Sequence, residues 1–212
     1  MSGILITFEG GEGSGKSTQC RLLARWLRGR RYRVAETSEP DGTALGVQVR
    51  LLFEKDGMTA VPLTELFLFL AARHQHVADV VRPALGRGEI VLSDRYTDAT
   101  LAYQGYGRGL DLQTIRELNA LATGGIQPDM TVVLDLDPRL GLRRIGERRL
   151  DAFEKMDLAF HERVRQGYLE IAREEKTRIM VLAGDQPEER VQGEIRRATD
   201  DLLNRRRFPL GV

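Results

Sequence analysis

Residues 4–18 read Ile-Leu-Ile-Thr-Phe-Glu-Gly-Gly-Glu-Gly-Ser-Gly-Lys-Ser-Thr. An apolar run, Ile4–Phe8, leads into glycines at 10, 11, 13 and 15, and a helical pattern starts at Lys16. This is G-x-x-x-x-G-K-[ST] with a strand before it and a helix after it, the setting that gives the pattern its meaning. The glycines let the backbone curl so that successive N–H groups point inward at phosphate oxygens. The helix adds the positive end of its dipole. Lys16 offers a mobile ammonium to the outer phosphates, and the Ser17 hydroxyl can meet Mg2+. The triphosphate-binding set is therefore Gly10, Gly11, Glu12, Gly13, Ser14, Gly15, Lys16, Ser17 and Thr18. A dinucleotide fingerprint fails here, because Lys16 stands where G-x-G-x-x-G counted from Gly11 needs its third glycine.

Outward from this loop, short apolar runs alternate with helical patterns. Strands are expected at Ile4–Phe8, Arg33–Glu36, Ile90–Ser93, Met130–Leu136 and Ile179–Leu182. They are rich in Val, Ile and Leu on both faces, as in a parallel sheet covered on both sides. Helices are expected at Lys16–Gly29, Thr43–Phe53, Leu63–Leu85, Leu112–Ala122, Pro138–Ile145, Glu154–Glu174 and Pro187–Arg206, with Pro62 and Pro187 at helix starts. The alternation predicts an α/β protein with right-handed crossovers, whose ligands bind beyond the carboxyl ends of the strands. The loop at 10–17, the segment after Glu36, and Asp94-Arg95 all fall there.

The chain of 212 residues suits one domain with at most a small mobile insertion. The 32 basic and 31 acidic residues give a net charge of +1, so no global field draws the protein to nucleic acid or a membrane. The single cysteine, Cys20, allows no internal disulfide and no cysteine-based zinc site; a packed thiol is expected there. No apolar stretch reaches the length of a membrane span, and residues 1–8 read as a core strand rather than a signal peptide. A cytoplasmic location fits. His74 and His76 are two apart on a helix and cannot face one metal together, so no histidine chemistry is assigned.

A second constellation follows the strand Ile90–Ser93: Asp94-Arg95-Tyr96, then Tyr103-Gln104-Gly105-Tyr106-Gly107-Arg108-Gly109. Asp94 at a strand end can hold a Mg2+-bound water opposite Ser17, or can cap a helix. Arg95 can fork onto a phosphate or serve a structural ion pair.

These motifs, in this order, resemble the thymidylate kinase family, which phosphorylates dTMP to dTDP with ATP. The resemblance covers nearly the whole chain. It runs from Phe8-Glu9-Gly10 through Ser17-Thr18, the Glu39-Pro40 loop, Phe69 through Arg73, Ser93 through Tyr96, Tyr103–Gly109, and Asp135 through the arginines to Glu154. It implies that Glu12 accepts a hydrogen bond from the acceptor's 3′-hydroxyl, Phe69 stacks on thymine and Arg73 meets the pyrimidine edge. Arg95, with Arg50 as a weaker candidate, would grip the acceptor phosphate. Thr100, Tyr103 and Gln104 would complete the base and sugar pocket beside Glu39. A homodimer is also implied. Phe69 and Arg73, four apart, share a helix face; taken alone, Phe69 within Leu66-Phe67-Leu68-Phe69-Leu70 reads as core.

Residues 143–149, Arg-Arg-Ile-Gly-Glu-Arg-Arg, form a basic cluster. It is either a solvated helix face or a lid whose arginines meet the charge of the migrating phosphoryl group. The resemblance favours the lid. Some thymidylate kinases carry an arginine in the phosphate loop, at the place of Gly13; others, typical of bacteria, carry it in the lid, and this chain is similar to those. Arg148 and Arg149 are the candidates, with Arg144 behind them.

The chain departs from the family pattern at Ser38, where an arginine is usual, at Asp41, where glycine is usual, and at Ala152 in Asp151-Ala152-Phe153-Glu154, where arginine is usual. A like-charge pair at ~4 Å in an effective dielectric of ~20 costs about 4 kcal/mol. Asp41 must therefore point away from the acceptor phosphate, bind a cation, or mark a changed substrate.

The expectation is a three-layer P-loop NTPase fold, a central five-stranded parallel sheet flanked by helices with a lid near 143–152. The expected reaction is ATP-dependent, Mg2+-assisted phosphorylation of dTMP, with Lys16, Arg95, Asp94, Arg148 and Arg149 as catalytic residues and Ser17 and Asp94 at the metal. The alternatives are a kinase of the same fold for another nucleotide or nucleoside, and a nucleotide-binding homologue without turnover.

Overall fold

The computed structural model describes residues 3–54, 60–146 and 151–209. Strands β1 (Ile4–Glu9), β2 (Val34–Ser38), β3 (Ile90–Asp94), β4 (Met130–Asp135) and β5 (Ile179–Ala183) form one parallel sheet in the order β2-β3-β1-β4-β5. Each lies within two residues of its expected bounds. The register pairs Phe8 with Asp94, and Asp94 with Ser38. The carboxyl ends of β1, β3 and β2 are therefore level, and the loops leaving them meet.

Side chains alternate across the sheet, as the strand period of two requires. Ile4, Ile6 and Phe8 join Leu23, Leu27, Ile195 and Leu203 on one face. These come from α1 (Lys16–Gly29) and α9 (Glu188–Arg206). Leu5 points the other way, to Val77, Val81, Val91 and Tyr96. On that same side α3 (Pro62–His76), α6 (Leu112–Thr123) and α8 (Leu158–Glu174) surround Leu66, Ile115, Phe160, Val164 and Ile171. Each such side chain, fully buried, is worth about 1.5–3 kcal/mol. The remaining helices are α2 (Ala44–Glu54), α4 (Arg82–Gly86), α5 (Thr97–Thr100) and α7 (Pro138–Ile145).

The run expected as Leu63–Leu85 is continuous from α3 to α4, but widens to a π-helical turn at Val77–Val81. The widening precedes Pro83, which has no N–H to give to the helical ladder. Two expectations need correction. The helix expected from Glu154 begins at Leu158, because Asp157 is extended and accepts from the Phe160 N–H (2.7 Å), a side-chain cap. Asp151 meanwhile takes the N–H groups of Phe153 and Glu154 into a turn. Residues 97–107, outside the expected helices, are helical, passing from α5 into a second π-helical turn at Leu101–Gly107. Among the described residues no helix is long and apolar enough to cross a membrane. Cys20 is buried, and desolvation together with Asp94 pushes its thiol well above the ordinary range.

Candidate active site

The loops after β1, β2 and β3 enclose a cleft of about 880 Å³. Residues 12–18 line one end; Glu39, Arg50, Phe69, Arg73, Thr100 and Gln104 line the other; Asp94, Arg95 and Tyr103 lie there too. Of the described candidates, only Gly10 and Gly11 do not line it; they shape the turn that leads in.

The phosphate loop is pinned from behind. Gly13 has φ +66°, and a Cβ there would lie 2.3 Å from the Gly141 carbonyl oxygen; one on Gly141 would lie 2.2 Å from the Glu12 carbonyl oxygen. Loop and α7 thus touch backbone to backbone, which only glycine allows. Lys16 is buried and its Nζ donates to the Gly11 carbonyl (2.7 Å). Burial, helped by Arg95, lowers its pKa, while Glu12 and Asp94 pull the other way.

Ser17 Oγ donates to Asp94 Oδ2 across the β1–β3 boundary. Asp94 Oδ1 is buried without a hydrogen-bond partner among the described residues. A hydroxyl beside an orphaned carboxylate oxygen is a hard oxygen-donor set, which fits Mg2+.

Arg95 has φ +72°, in the left-handed region. Its N–H donates to the Phe8 carbonyl (2.9 Å), and its own carbonyl accepts from Ser93 Oγ (2.7 Å). Its guanidinium donates to Glu12 Oε1, which also accepts from the Tyr103 hydroxyl, and it lies over the Tyr103 ring (4.9 Å). Burial would raise the Glu12 carboxyl, but Arg95 and Lys16 outweigh it and bring it down to about 2. Tyr103 is pushed up by burial.

At the far end Arg73 is buried, with every donor engaged. Nε and Nη2 meet Glu39 Oε2 (both 2.8 Å), Nη1 donates to Thr100 and Asn119 (both 2.6 Å), and Nη2 also donates to the Tyr96 carbonyl (2.8 Å). Glu39 also meets His76 Nδ1 (3.0 Å). Burial opposes its charge, yet Arg73 and His76 hold its carboxyl below the ordinary range. Gln104 donates to buried Glu65 (2.8 Å), which also binds Arg108. Phe69 faces the cleft and lies parallel to Phe53 (centroids 5.1 Å, 12°), with Phe153 tilted 5.7 Å away. Sequence reasoning did not assign Phe53, Phe153, Glu65 or Asn119 to this site. Phe153 stood in a quoted motif but was not read as part of the aromatic wall.

Arg50 Nε lies 2.7 Å from Asp41 and Nη1 2.6 Å from Glu54. Of the three possibilities for Asp41, binding a cation is the one found, and the cation is Arg50. Burial nevertheless raises the Asp41 carboxyl, with Arg50 working against it. Ala152 donates its N–H to the Phe53 carbonyl (3.0 Å). Arg144 donates to the carbonyls of Gly13 (3.3 Å) and Gly184 (3.0 Å), tying α7 to the phosphate loop. Arg148 and Arg149 lie outside the described residues.

A phosphate loop facing an arginine-rich pocket with an aromatic wall, at the switch point of a parallel sheet, defines a P-loop phosphotransferase of the nucleoside monophosphate kinase class. The sequence model of the family described as thymidylate kinase matches residues 8–195, and the chain belongs to the thymidylate kinase family. It is 48% identical to a thymidylate kinase of Desulfovibrio desulfuricans over 96% of this chain and 98% of that one. It is 49% identical to one of Deinococcus radiodurans over 91% and 94% respectively. The crystal structure of thymidylate kinase from Ehrlichia chaffeensis superposes with a TM-score of 0.76 at 35% identity, over 94% of this chain and 99% of that one.

Proposed function

We propose that this family member phosphorylates dTMP to dTDP with ATP by holding the two nucleotides head to tail in the one cleft. The observation that carries the reading is the register of β1 and β3, which sets Ser17 against Asp94 and Glu12 against Arg95 at neighbouring strand ends. The ATP phosphates lie on residues 10–18, and Lys16 exchanges the Gly11 carbonyl for phosphate oxygens. Ser17 and Asp94 would hold Mg2+, which neutralises charge on the phosphates when bound.

Arg95, joined by Arg50, grips the acceptor phosphate, and Glu12 takes the 3′-hydroxyl. Thymine lies against Phe69, and its edge competes with Thr100 and Asn119 for Arg73; Glu39, Thr100, Tyr103 and Gln104 shape the rest. The attacking phosphate oxygen is already anionic, so no general base is needed, and positioning and charge neutralisation do the work. Arg148 and Arg149, with Arg144 behind them, would close over the migrating group and exclude water. The whole chain acts as one domain with a lid near 143–152, in the cytoplasm, without nucleic-acid or membrane partners. It works as a homodimer; the exposed Leu45, Leu51, Leu63 and Phe67 of α2 and α3 offer an apolar surface for a second copy.

A coupled ADP-release assay over a panel of nucleoside monophosphates tests the reading. The expected result is highest kcat/KM for dTMP, abolished by EDTA and restored by Mg2+. Strong turnover of dUMP or dCMP with weak turnover of dTMP would overturn the acceptor. ATP binding without dTMP-dependent ADP formation would make the chain a non-catalytic homologue.

A further inference from the structure

Glu9 ends β1, is fully buried and does not line the cleft. Its Oε1 accepts from the Tyr96 N–H (2.7 Å) and its Oε2 from the Tyr168 hydroxyl (2.8 Å). Consecutive β1 residues therefore capture consecutive N–H groups of the β3 loop: the Phe8 carbonyl takes Arg95 and the Glu9 carboxyl takes Tyr96. The residue between these anchors and the Ser93 hydroxyl is Arg95, held left-handed at φ +72°. A non-glycine residue keeps that conformation only where its surroundings over-determine it. The Tyr96 carbonyl accepts from Arg73, and the Tyr168 ring meets Tyr103 edge-on (6.4 Å), so Glu9 stands behind both ends of the acceptor pocket.

We propose that Glu9, which touches no substrate, is a positioning residue: its buried carboxyl fixes the Arg95–Tyr96 turn and thereby aims the Arg95 guanidinium at the acceptor phosphate. The inference rests on the reading of Arg95 as the phosphate grip. Geometry rather than charge is what the turn requires. Burial, with Asp98 nearby, pushes the Glu9 carboxyl up to about 8 against the pull of Arg95 and its hydrogen bonds, so a neutral side chain of the same shape serves.

Steady-state kinetics with Glu9→Gln, Glu9→Asp, Glu9→Leu and Arg95→Ala test this. Gln keeps an oxygen for Tyr96 and turns its amide to the Tyr168 oxygen, so KM for dTMP stays within about twofold of wild type. Asp keeps the carboxyl but withdraws it by one methylene. Leu keeps the volume but accepts nothing, leaving the Tyr96 N–H and the Tyr168 hydroxyl without their acceptor, so folding is checked by its circular-dichroism melt. Both raise KM for dTMP about tenfold or more and leave KM for ATP within about twofold, a split that a merely structural role would not give. Should Leu fail to fold, the order of Gln and Asp still decides. Wild-type dTMP kinetics in Glu9→Asp, or Asp outperforming Gln, overturns the inference. Arg95→Ala separates the two readings: if it leaves KM for dTMP unchanged, the Arg95 assignment falls and this inference with it. If it raises KM while Glu9→Asp and Glu9→Leu do not, only the inference falls.

Discussion

The Asp41 carboxylate and the Arg50 guanidinium form an ion pair at 2.7 Å on the wall of the acceptor end of the cleft. Asp41, unusual for the family, thus partly neutralises the cation proposed as a second grip on the acceptor phosphate. Both side chains keep a good part of their exposure, 45% for Arg50 and 35% for Asp41. Such pairs are worth about 0.2–1 kcal/mol, and 1.4 kcal/mol is a factor of ten. Asp41→Asn is therefore expected to lower KM for dTMP by up to about fivefold at unchanged KM for ATP. A rise in KM would show that Asp41 orients Arg50 productively instead.

On the proposed reading, Lys16→Ala and Arg95→Ala remove charges aimed at opposite nucleotides. Each is expected to cost roughly 10²–10³ in kcat/KM, the scale on which a preorganised donor contributes to catalysis. Lys16→Ala acts on the ATP side and Arg95→Ala on the dTMP side, so varying each substrate in turn distinguishes them. Unimpaired turnover in either variant would remove that residue from the mechanism.

Gly13→Arg would restore the arginine that other family members carry in the phosphate loop. Here the residue is at φ +66° and a Cβ meets the Gly141 carbonyl at 2.3 Å. The expected result is loss of activity together with a lower melting temperature, of order 1–3 kcal/mol for the strained backbone alone. An active, stable Gly13→Arg protein would mean that α7 yields readily.

Glu12 supplies a pH dependence of stability. Its carboxyl is brought from 4.5 down to about 2 in the folded protein, so below pH 4.5 the unfolded chain binds the extra proton. The stabilisation is complete above about pH 4.5 and is lost as the pH falls toward 2. Urea unfolding at pH 5 and pH 3 should show the decline, and Glu12→Gln should flatten it. The same depression means that Glu12 adds no acid limb to the rate profile near neutrality.

The parallel strands were legible because burial on both faces leaves continuous apolar runs, and the phosphate loop was legible because its glycines, lysine and serine are contiguous. Asp94 and Arg95 could be placed because strand ends converge in a sheet of this kind. The aromatic wall was not legible as a unit. Phe53, Phe69 and Phe153 come from separate elements, and no local period joins them. Glu9 and Glu65 look in sequence like ordinary surface acids; only tertiary packing turns them into buried acceptors. Asp41 and Arg50 each drew attention, but their pairing depends on how the turn after β2 enters α2. At the start of α8 the capping power of Asp157 overrode a helical pattern that extended back to Glu154.

The contact between Gly13 and Gly141 also bears on how such enzymes diversify. A lineage that brought an arginine into the nucleotide loop at the place of Gly13 would have to shift the facing helix first or at the same step, since the new side chain meets a backbone carbonyl. The two arrangements are therefore separated by a steric ridge rather than a smooth slope, because Gly141 is already the smallest residue and only a shift of the α7 backbone clears its carbonyl.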